Sequence, residues 1–279
     1  MKSYAEKCET LFQKMKEYVK DGVAVAFSGG VDSSLLLKLA CEAAADTGQT
    51  VYAVTAHSRL HPAEDLETAA KVAEETGAVH KIVFVDELGE AGILDNPKER
   101  CYLCKKYLFQ KMIKTAEELG VRQLLEGTNE DDLHVYRPGI RAVKELGVLS
   151  PLAECGMTKR EIRELAQTYQ ISVAKRPSGP CLATRFPYGT RLSYERIEQA
   201  EQGERFLKSL GFPTVRLRVH GRLARIEVKE AELSEALKKK KEIIQYLKEL
   251  GYAYITIDLE GFRSGSMDVD MAGGEKDEI

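Results

Sequence analysis

Hydrophobic and polar positions recur with two different periods along the first two thirds of the chain. Short apolar runs, which are typical of buried strands, alternate with longer stretches whose apolar residues recur at helical spacing. The predicted strands lie at 22–27, 51–56, 80–85 and 122–126, and the predicted helices at 4–19, 33–46, 63–76 and 102–119. Alternating strands and helices favour an α/β fold with a mostly parallel, twisted sheet covered on both faces.

The pattern changes near residue 193. A helical stretch at 193–210 precedes two runs, 215–219 and 223–228, in which apolar and polar residues alternate as in half-exposed strands. A helix at 230–249 and a strand at 252–259 complete a small α+β unit. We therefore expect two domains, residues 1–190 and 191–279, and no fixed element in the acidic tail after about residue 266.

A glycine-rich turn follows the first predicted strand. Residues 28–33 read Ser-Gly-Gly-Val-Asp-Ser and lead directly into a helix. Gly29 and Gly30 permit a close backbone approach, while Ser28 and Ser33 supply hydroxyl donors beside the positive helix end. The turn therefore predicts an anion site, although the Gly-x-x-x-x-Gly-Lys-Ser/Thr sequence of mononucleotide-binding P-loops does not occur.

Composition narrows the classes of function. The 279 residues include 41 lysines and arginines against 44 acidic residues, a net charge of −3, which gives no global attraction to nucleic acid. We see no secretory signal and no apolar run long enough to span a bilayer, so we expect a cytoplasmic protein without a membrane partner. Its six cysteines are then expected as reduced thiols, metal ligands or catalytic groups.

Three of the cysteines are candidates for chemistry. Cys101 and Cys104 form a C-x-x-C at a predicted helix start, and this spacing lets two thiols reach one metal. Cys181 lies between Arg176 and Arg185, which would favour its thiolate. The remaining three cysteines are read as structural. A [4Fe–4S] cluster with one open iron suits three thiolates, and zinc with a histidine as a further ligand stays an alternative. The candidate histidines are His57, His61, His80 and His134.

These segments together resemble one known family. The 28–33 turn is similar to the loop of the PP-loop ATP pyrophosphatases, which cleave ATP between its α and β phosphates. Most of the chain, from about residue 10 to 265, resembles the LarE branch, the ATP-dependent sulfur transferases that help make the nickel-pincer nucleotide cofactor of lactate racemase. The further matching segments are 96–105, 126–129, 150–152, 176–189 and 215–221.

The resemblance implies a substrate, a reaction and cofactors. ATP would adenylate a carboxylate of pyridinium-3,5-biscarboxylic acid mononucleotide, and a sulfur nucleophile would then displace AMP to give a thiocarboxylate. Asp32 would help to hold Mg²⁺ or orient the phosphates. Some members sacrifice the sulfur of a cysteine that matches Cys181, but they lack the C-x-x-C. This chain resembles the other subgroup, in which Cys101, Cys104 and Cys181 would hold a [4Fe–4S] cluster.

The resemblance also bears on the C-terminal unit. Arg216 and Arg218 fall on one face of a predicted strand, where two guanidinium groups can clamp a phosphate or simply form a solvated charged face. The family favours the substrate phosphate for both, with Glu204 close to the same site. By the same analogy we expect a homo-oligomer.

Three other functions fit parts of the pattern. A tRNA thiolase shares the fold and the three cysteines, but it should show a basic surface or an added RNA-binding module. An amide-forming ligase would leave the three cysteines without a purpose. A non-enzymatic nucleotide sensor would bind ATP without releasing pyrophosphate.

Overall fold

The computed structural model describes residues 2–135, 137–177, 179–263 and 265–267, so the tail beyond 267 lies outside the described residues. The chain forms two compact units. The first comprises residues 1–93 and 99–179, and the second comprises 94–98 and 180–279. The sequence pattern places the boundary after residue 190, whereas the loop that contains Cys181 belongs to the second unit. Its side chains explain this, because Arg185 pairs with Glu204 of the following helix.

A four-stranded parallel sheet forms the centre of the first unit. Its strands are β1 (Val23–Ala26), β2 (Val51–His57), β3 (Val79–Phe84) and β4 (Leu124–Leu125), in the spatial order β3-β2-β1-β4. The chain builds the sheet outward from β1 to β3 and then returns to place β4 on the other side of β1. This reversal creates a crevice at the carboxyl ends of β1 and β4, where folds of this kind bind ligands.

Helices cover both faces of this sheet. They are α1 (Tyr4–Tyr18), α2 (Val31–Ala44), α3 (Ala63–Thr76), α4 (Glu87–Glu90), α5 (Arg100–Glu118), α6 (Gly139–Glu145), α7 (Pro151–Glu154) and α8 (Lys159–Thr168). The larger core includes Leu11, Leu36 and Ile162 of α1, α2 and α8. The second core includes Phe109 and Met112 of α5. The strong apolar stripes of these helices therefore account for the two-sided coverage.

Local sequence signals fix several helix ends in the first unit. Gly77 ends α3 in the left-handed conformation at φ 78°, as its position after the helical pattern predicts. At the start of α8, the hydroxyl of Thr158 accepts from the backbone of Glu161, and the Glu161 carboxylate accepts from the backbone of Thr158. This capping box fixes the start of α8.

The second unit contains a three-stranded sheet with helices on its apolar face. Strands β5 (Val215–His220) and β6 (Leu223–Val228) are antiparallel, and β7 (Tyr254–Ile257) pairs in parallel with β6. Helix α9 (Tyr194–Ser209) precedes the sheet. The single helix predicted at 230–249 is instead two, α10 (Leu233–Lys238) and α11 (Lys240–Glu249). Between them Lys239 leaves helical geometry, with ψ 9°, and its ammonium group donates to the carbonyl of Leu210.

Over the described residues, no helix has the length and apolar character needed to cross a membrane.

Candidate functional site

The glycine-rich turn lies at the carboxyl end of β1, at the reversal of the strand order. Gly30 precedes α2 in an extended conformation, and no side chain caps the helix. The Ser28 and Ser33 hydroxyl groups lie 3.2 Å apart, and that of Ser28 accepts from the backbone of Gly30 at 3.3 Å. The first-turn N–H groups of a helix have no intrahelical acceptor, so the turn offers several donors to one anion.

Two close contacts show why this turn needs glycine. Gly29 has φ 68°, and a Cβ atom there would lie 3.0 Å from the backbone of Ala69 in α3. On the other side, a Cβ atom at Gly127 would lie 3.0 Å from the Cβ of Asp32 and 3.1 Å from the Ser33 nitrogen. Neither contact can be relieved by moving a flexible side chain. The turn is therefore packed between α3 and the segment that follows β4.

Asp32 is the acidic group of the turn, and it is held from two directions. Lys159, the first residue of α8, forms an ion pair with Asp32 Oδ2. The Asn129 side-chain amide donates to Asp32 Oδ1 at 3.5 Å. The backbone of Lys159 in turn donates to the Asp131 carboxylate at 2.8 Å. A carboxylate and an ammonium group thus stand together beside the helix N-terminus, where phosphate charges would gather.

A second network ties the segment after β4 to the helix that carries the C-x-x-C. The Glu126 carboxylate is buried and accepts from the backbone of Thr128 at 2.9 Å and from the hydroxyl of Ser150 at 2.5 Å. Lys105 of α5 forms an ion pair with the same carboxylate at 3.2 Å. The position of α5 is therefore coupled to the turn region through one buried acid.

Cys101 and Cys104 occupy the first turn and a half of α5. Cys101 is exposed and Cys104 is half-buried, and residues three apart are neighbours on a helix surface. The described part of the chain holds no group of three or more histidine, cysteine or acidic side chains placed for a metal ion. The two thiols fit as a pair of ligands to a cluster, but this structure does not assemble a complete ligand set.

Magnesium has simpler requirements than a cluster. Mg²⁺ usually keeps several waters and binds one or two carboxylates together with substrate phosphates. The Asp32 carboxylate, which remains partly accessible at 21% side-chain exposure, fits that role as a single protein ligand.

Cys181 begins a short 3₁₀ helix, Leu182–Arg185, in the second unit. The carbonyl of Cys181 accepts from the Thr184 backbone, the Thr184 hydroxyl group and Arg185 Nη1, at 3.0, 2.7 and 3.2 Å. Arg185 itself is almost fully buried and pairs with Glu204. The other arginine expected beside Cys181, Arg176, donates to Asp65 at 2.6 Å. Both guanidinium groups are thus engaged by carboxylates.

Arg216 and Arg218 point to the charged face of the C-terminal sheet but differ in their partners. Arg218 is buried, forms an ion pair with the fully buried Glu227 at 2.9 Å and donates to the carbonyl of Thr184 at 3.1 Å. Among the described residues, no carboxylate lies within ion-pair distance of Arg216. Burial, and then the nearby charge of Arg185, lower the pKa of the Arg216 guanidinium. The carboxylates of Glu204 and Glu227 are near enough to oppose this effect. This face therefore carries one half-buried cation without a direct ion pair among the described residues.

Comparisons with known proteins identify the family of this chain. Residues 2–134 match the model of the PP-loop domain family. The pyridinium-3,5-bisthiocarboxylic acid mononucleotide synthase of Lactiplantibacillus plantarum is 38% identical over 267 residues, covering 96% of this chain and 95% of the relative. This chain belongs to the LarE family. The sequence-based assignment to that family and its α/β fold are therefore confirmed.

Two further relatives also match this chain over most of its length. An uncharacterized protein of Synechocystis is 37% identical over 249 residues, which cover 88% of this chain and 92% of the relative. An uncharacterized protein of Methanocaldococcus jannaschii is 32% identical over 262 residues, which cover 94% of this chain and 99% of the relative. Similarity over both units indicates that the family shares the C-terminal sheet as well as the PP-loop domain.

Lys159 lies outside every motif named from the sequence, whereas Lys105 and Asn129 end the matching segments 96–105 and 126–129, without a role assigned to either residue there. Lys159 stands 127 positions from its partner Asp32, so no local motif connects the two residues. The available signal was its position directly after the capping residue Thr158, which places it at a helix start at the open edge of the sheet. Asn129 had a stronger signal, because it ends the segment that follows β4.

Proposed function

We propose that this protein is an ATP-dependent sulfur transferase that converts carboxylates of pyridinium-3,5-biscarboxylic acid mononucleotide into thiocarboxylates. The observation that carries the proposal is the uncapped start of α2 with Gly29, Gly30, Ser28 and Ser33 around it. This arrangement suits the departing pyrophosphate of ATP. The substrate follows from the L. plantarum synthase, whose sequence matches this chain almost from end to end.

Two displacements give the product. A substrate carboxylate oxygen attacks the α-phosphorus of ATP, the bond between that phosphorus and the bridging oxygen breaks, and pyrophosphate leaves. A sulfur nucleophile then attacks the acyl carbon, and the C–O bond to AMP breaks. The first step is needed because oxide leaves a carboxylate poorly, whereas AMP leaves readily. The same two steps then act on the second carboxylate.

The residues of the first unit serve the adenylation. The turn donors and Lys159 offset negative charge as pyrophosphate departs, and Asp32 binds the Mg²⁺ that accompanies ATP. Asn129 holds the Asp32 carboxylate in place through its side-chain amide. In the second unit, Arg216 and Arg218 bind the phosphate of the substrate mononucleotide, and the support is their place two residues apart on β5, with Arg216 free of a direct ion pair among the described residues.

Cys101, Cys104 and Cys181 together bind a [4Fe–4S] cluster in this proposal. Support comes from the i, i+3 thiols at the start of α5 and from Cys181, which lies outside the hydrophobic core. When bound, the cluster would carry the transferable sulfur. The three other cysteines suit a structural role, since burial raises the pKa of the Cys41 thiol to about 11 and also raises that of Cys155.

The remaining expectations concern the setting of the enzyme. We propose a cytoplasmic homo-oligomer with a small-molecule substrate and no nucleic-acid partner, consistent with the net charge of −3. Light scattering on the purified protein tests the oligomer, and a tRNA competition assay tests the absence of nucleic-acid binding.

Anaerobic turnover tests the proposed activity. Purified protein is incubated with ATP, Mg²⁺, sulfide and the biscarboxylate mononucleotide, and nucleotides and acyl products are followed by mass spectrometry. We expect AMP, pyrophosphate and a product in which sulfur replaces oxygen. ADP as the nucleotide product would reject the proposal. Thiolation of added tRNA, or an amide product formed with ammonia in place of sulfide, would favour a thiolase or an amide ligase.

A further inference from the structure

One buried acid in the second unit touches both the cysteine turn and the arginine strand. Glu204 of α9 has a side-chain exposure of 5% and binds Arg185, whose exposure is 3%. Arg185 Nε donates to Glu204 Oε1 and Nη2 donates to Oε2, both at 2.8 Å. Two parallel bonds between a guanidinium and a carboxylate fix the direction of both side chains.

The Arg185 side chain also holds the start of the cysteine turn. Its Nη1 donates to the carbonyls of Pro180 and Cys181, at 3.1 and 3.2 Å, and to the hydroxyl of Thr184 at 2.9 Å. Nη1 thus faces the turn while Nε and Nη2 face Glu204. The guanidinium group therefore bridges α9 and the backbone that carries the Cys181 thiol.

Glu204 bonds the arginine strand with the same oxygen that receives Arg185 Nε. The backbone N–H of Leu217, between Arg216 and Arg218, donates to Glu204 Oε1 at 3.0 Å. The neighbouring Gly203 permits this approach, because a Cβ atom there would lie 2.5 Å from Leu217 Cδ2. A single carboxylate thus relates the cysteine turn to the strand that carries the two arginines.

A buried ion pair of this kind contributes little net stability. The cost of removing both charges from water is large, and an apolar pair of similar volume is often equally stable. Removing one partner alone is different, because it leaves a buried charge without compensation. A role in stability therefore does not explain why both charges stand at this position, whereas fixing the geometry of the turn does.

We infer that Arg185 and Glu204 are positioning residues that set the Cys181 turn against the arginine strand for the sulfur-transfer step. Neither residue contacts the reacting atoms in this scheme. The inference rests on the proposed function, because it assigns the pair to the second displacement and not to adenylation. Their loss should lower thiocarboxylate formation far more than pyrophosphate release.

The deciding variant removes both charges together. In Arg185→Met/Glu204→Leu no buried charge is left alone, so the protein should fold with a melting temperature near that of the wild type. Single-turnover assays then measure pyrophosphate and thiocarboxylate separately. We expect a loss of about 100-fold in thiocarboxylate formation, as a displaced reacting group produces, and a much smaller change in pyrophosphate release. Arg185→Lys, which keeps the charge but not the fork, should show the same separation in a weaker form.

A second measurement needs no substrate. Alkylation by iodoacetamide is followed at individual cysteines by peptide mass, on full-length protein freed of metal by chelation, so that no thiol is shielded as a ligand. In the double variant Cys181 should react faster than in the wild type, while Cys101 of the first unit serves as the internal reference and keeps its rate. The Lys14→Met/Glu154→Leu pair is the matched control, since it removes an ion pair in the first unit.

The outcomes distinguish a failure of the positioning role from a failure of the proposed function. Equal losses of pyrophosphate release and thiocarboxylate formation in the folded double variant, or an unchanged Cys181 alkylation rate, would overturn the positioning role. A wild-type enzyme that releases no pyrophosphate with the biscarboxylate would overturn the proposed function, and the alkylation rates would still decide whether the pair positions Cys181.

Discussion

Lys159 and Asp32 form an ion pair at the mouth of the PP-loop, although they lie 127 positions apart in the chain. Side-chain exposures of 32% for Lys159 and 21% for Asp32 leave both groups reachable from solvent. The loop itself contains no lysine, so α8 supplies the cation that it lacks. When ATP and Mg²⁺ arrive, the carboxylate can face the metal and the ammonium group can face the phosphates.

The first prediction follows from that relationship. Lys159→Met should lower substrate-dependent pyrophosphate release by about 10- to 150-fold, since a charge-assisted contact contributes about 1.5–3 kcal/mol. Lys159→Arg should recover part of the rate. Lys38→Met is the control, because Lys38 on α2 pairs with Glu42 four residues on. A wild-type rate in Lys159→Met would remove this residue from the adenylation step.

Gly29 and Gly48 provide a matched test of the close approach in the loop. Both have positive φ, 68° and 69°, but only Gly29 has close neighbours, since a Cβ atom there would lie 3.0 Å from the Ala69 backbone. Gly48→Ala should therefore cost only the conformational penalty, about 1–2 kcal/mol. Gly29→Ala should destabilise the protein further and abolish ATP binding. Urea unfolding and nucleotide titration measure the two effects, and equal unfolding free energies would contradict the steric argument.

Much of this site was predictable because its signals are local. The Ser-Gly-Gly-x-Asp-Ser turn, the apolar run before it and the capping box at Thr158 each depend on residues that are close in sequence. The partners of Arg218 were not predictable in this way. Glu227 lies on the next strand, where the register places it opposite Arg216, yet its carboxylate pairs diagonally with Arg218.

Two expectations drawn from residues close in sequence differ from the structure. Arg185 was expected to act on the Cys181 thiol, but its donors go to backbone carbonyls and to Glu204. The helix predicted at 230–249 has continuous helical spacing, yet the bond from Lys239 to Leu210 draws the chain out of the helix. In both cases a long-range hydrogen bond decides the geometry, and a pattern read along the chain does not contain it.

Arg216 and Arg218 should respond differently to removal. Arg216→Ala deletes a cation that has no acidic partner among the described residues, so substrate affinity should fall by about 10- to 150-fold with little loss of stability. Arg218→Ala should destabilise the fold, because it takes one partner from the fully buried Glu227 carboxylate. ATP affinity should stay near wild type in Arg216→Ala. Calorimetric titration of both ligands checks this, and a parallel loss of ATP binding would contradict a role in binding the substrate phosphate.

His80 should make stability depend on pH. Its Nε2 lies 2.8 Å from the Thr55 hydroxyl group, and burial lowers the pKa of its imidazole. The unfolded chain therefore binds a proton at a higher pH than the folded protein does. The contribution of neutral His80 to the free energy of unfolding should be fully present above the unfolded pKa of about 6.5. It should be lost as the pH falls towards the lower pKa of the folded protein. The free energy of unfolding, measured with urea at pH values between those limits, should depend less steeply on pH in His80→Gln. Thr55→Val, which keeps the imidazole, should retain the pH dependence of the wild type.

The fate of Cys181 during turnover decides how sulfur is supplied. If Cys101, Cys104 and Cys181 are ligands, each Cys→Ala variant should lose iron and thiocarboxylate formation together while pyrophosphate release persists. Cys155→Ala, which changes a buried core residue, should lose neither. Intact-mass analysis after anaerobic turnover with sulfide should then find Cys181 unchanged. A ligand can return to its starting state after each cycle, whereas a sulfur donor is consumed and leaves dehydroalanine. Dehydroalanine at Cys181 in proportion to product would therefore replace the cluster proposal with the sacrificial one.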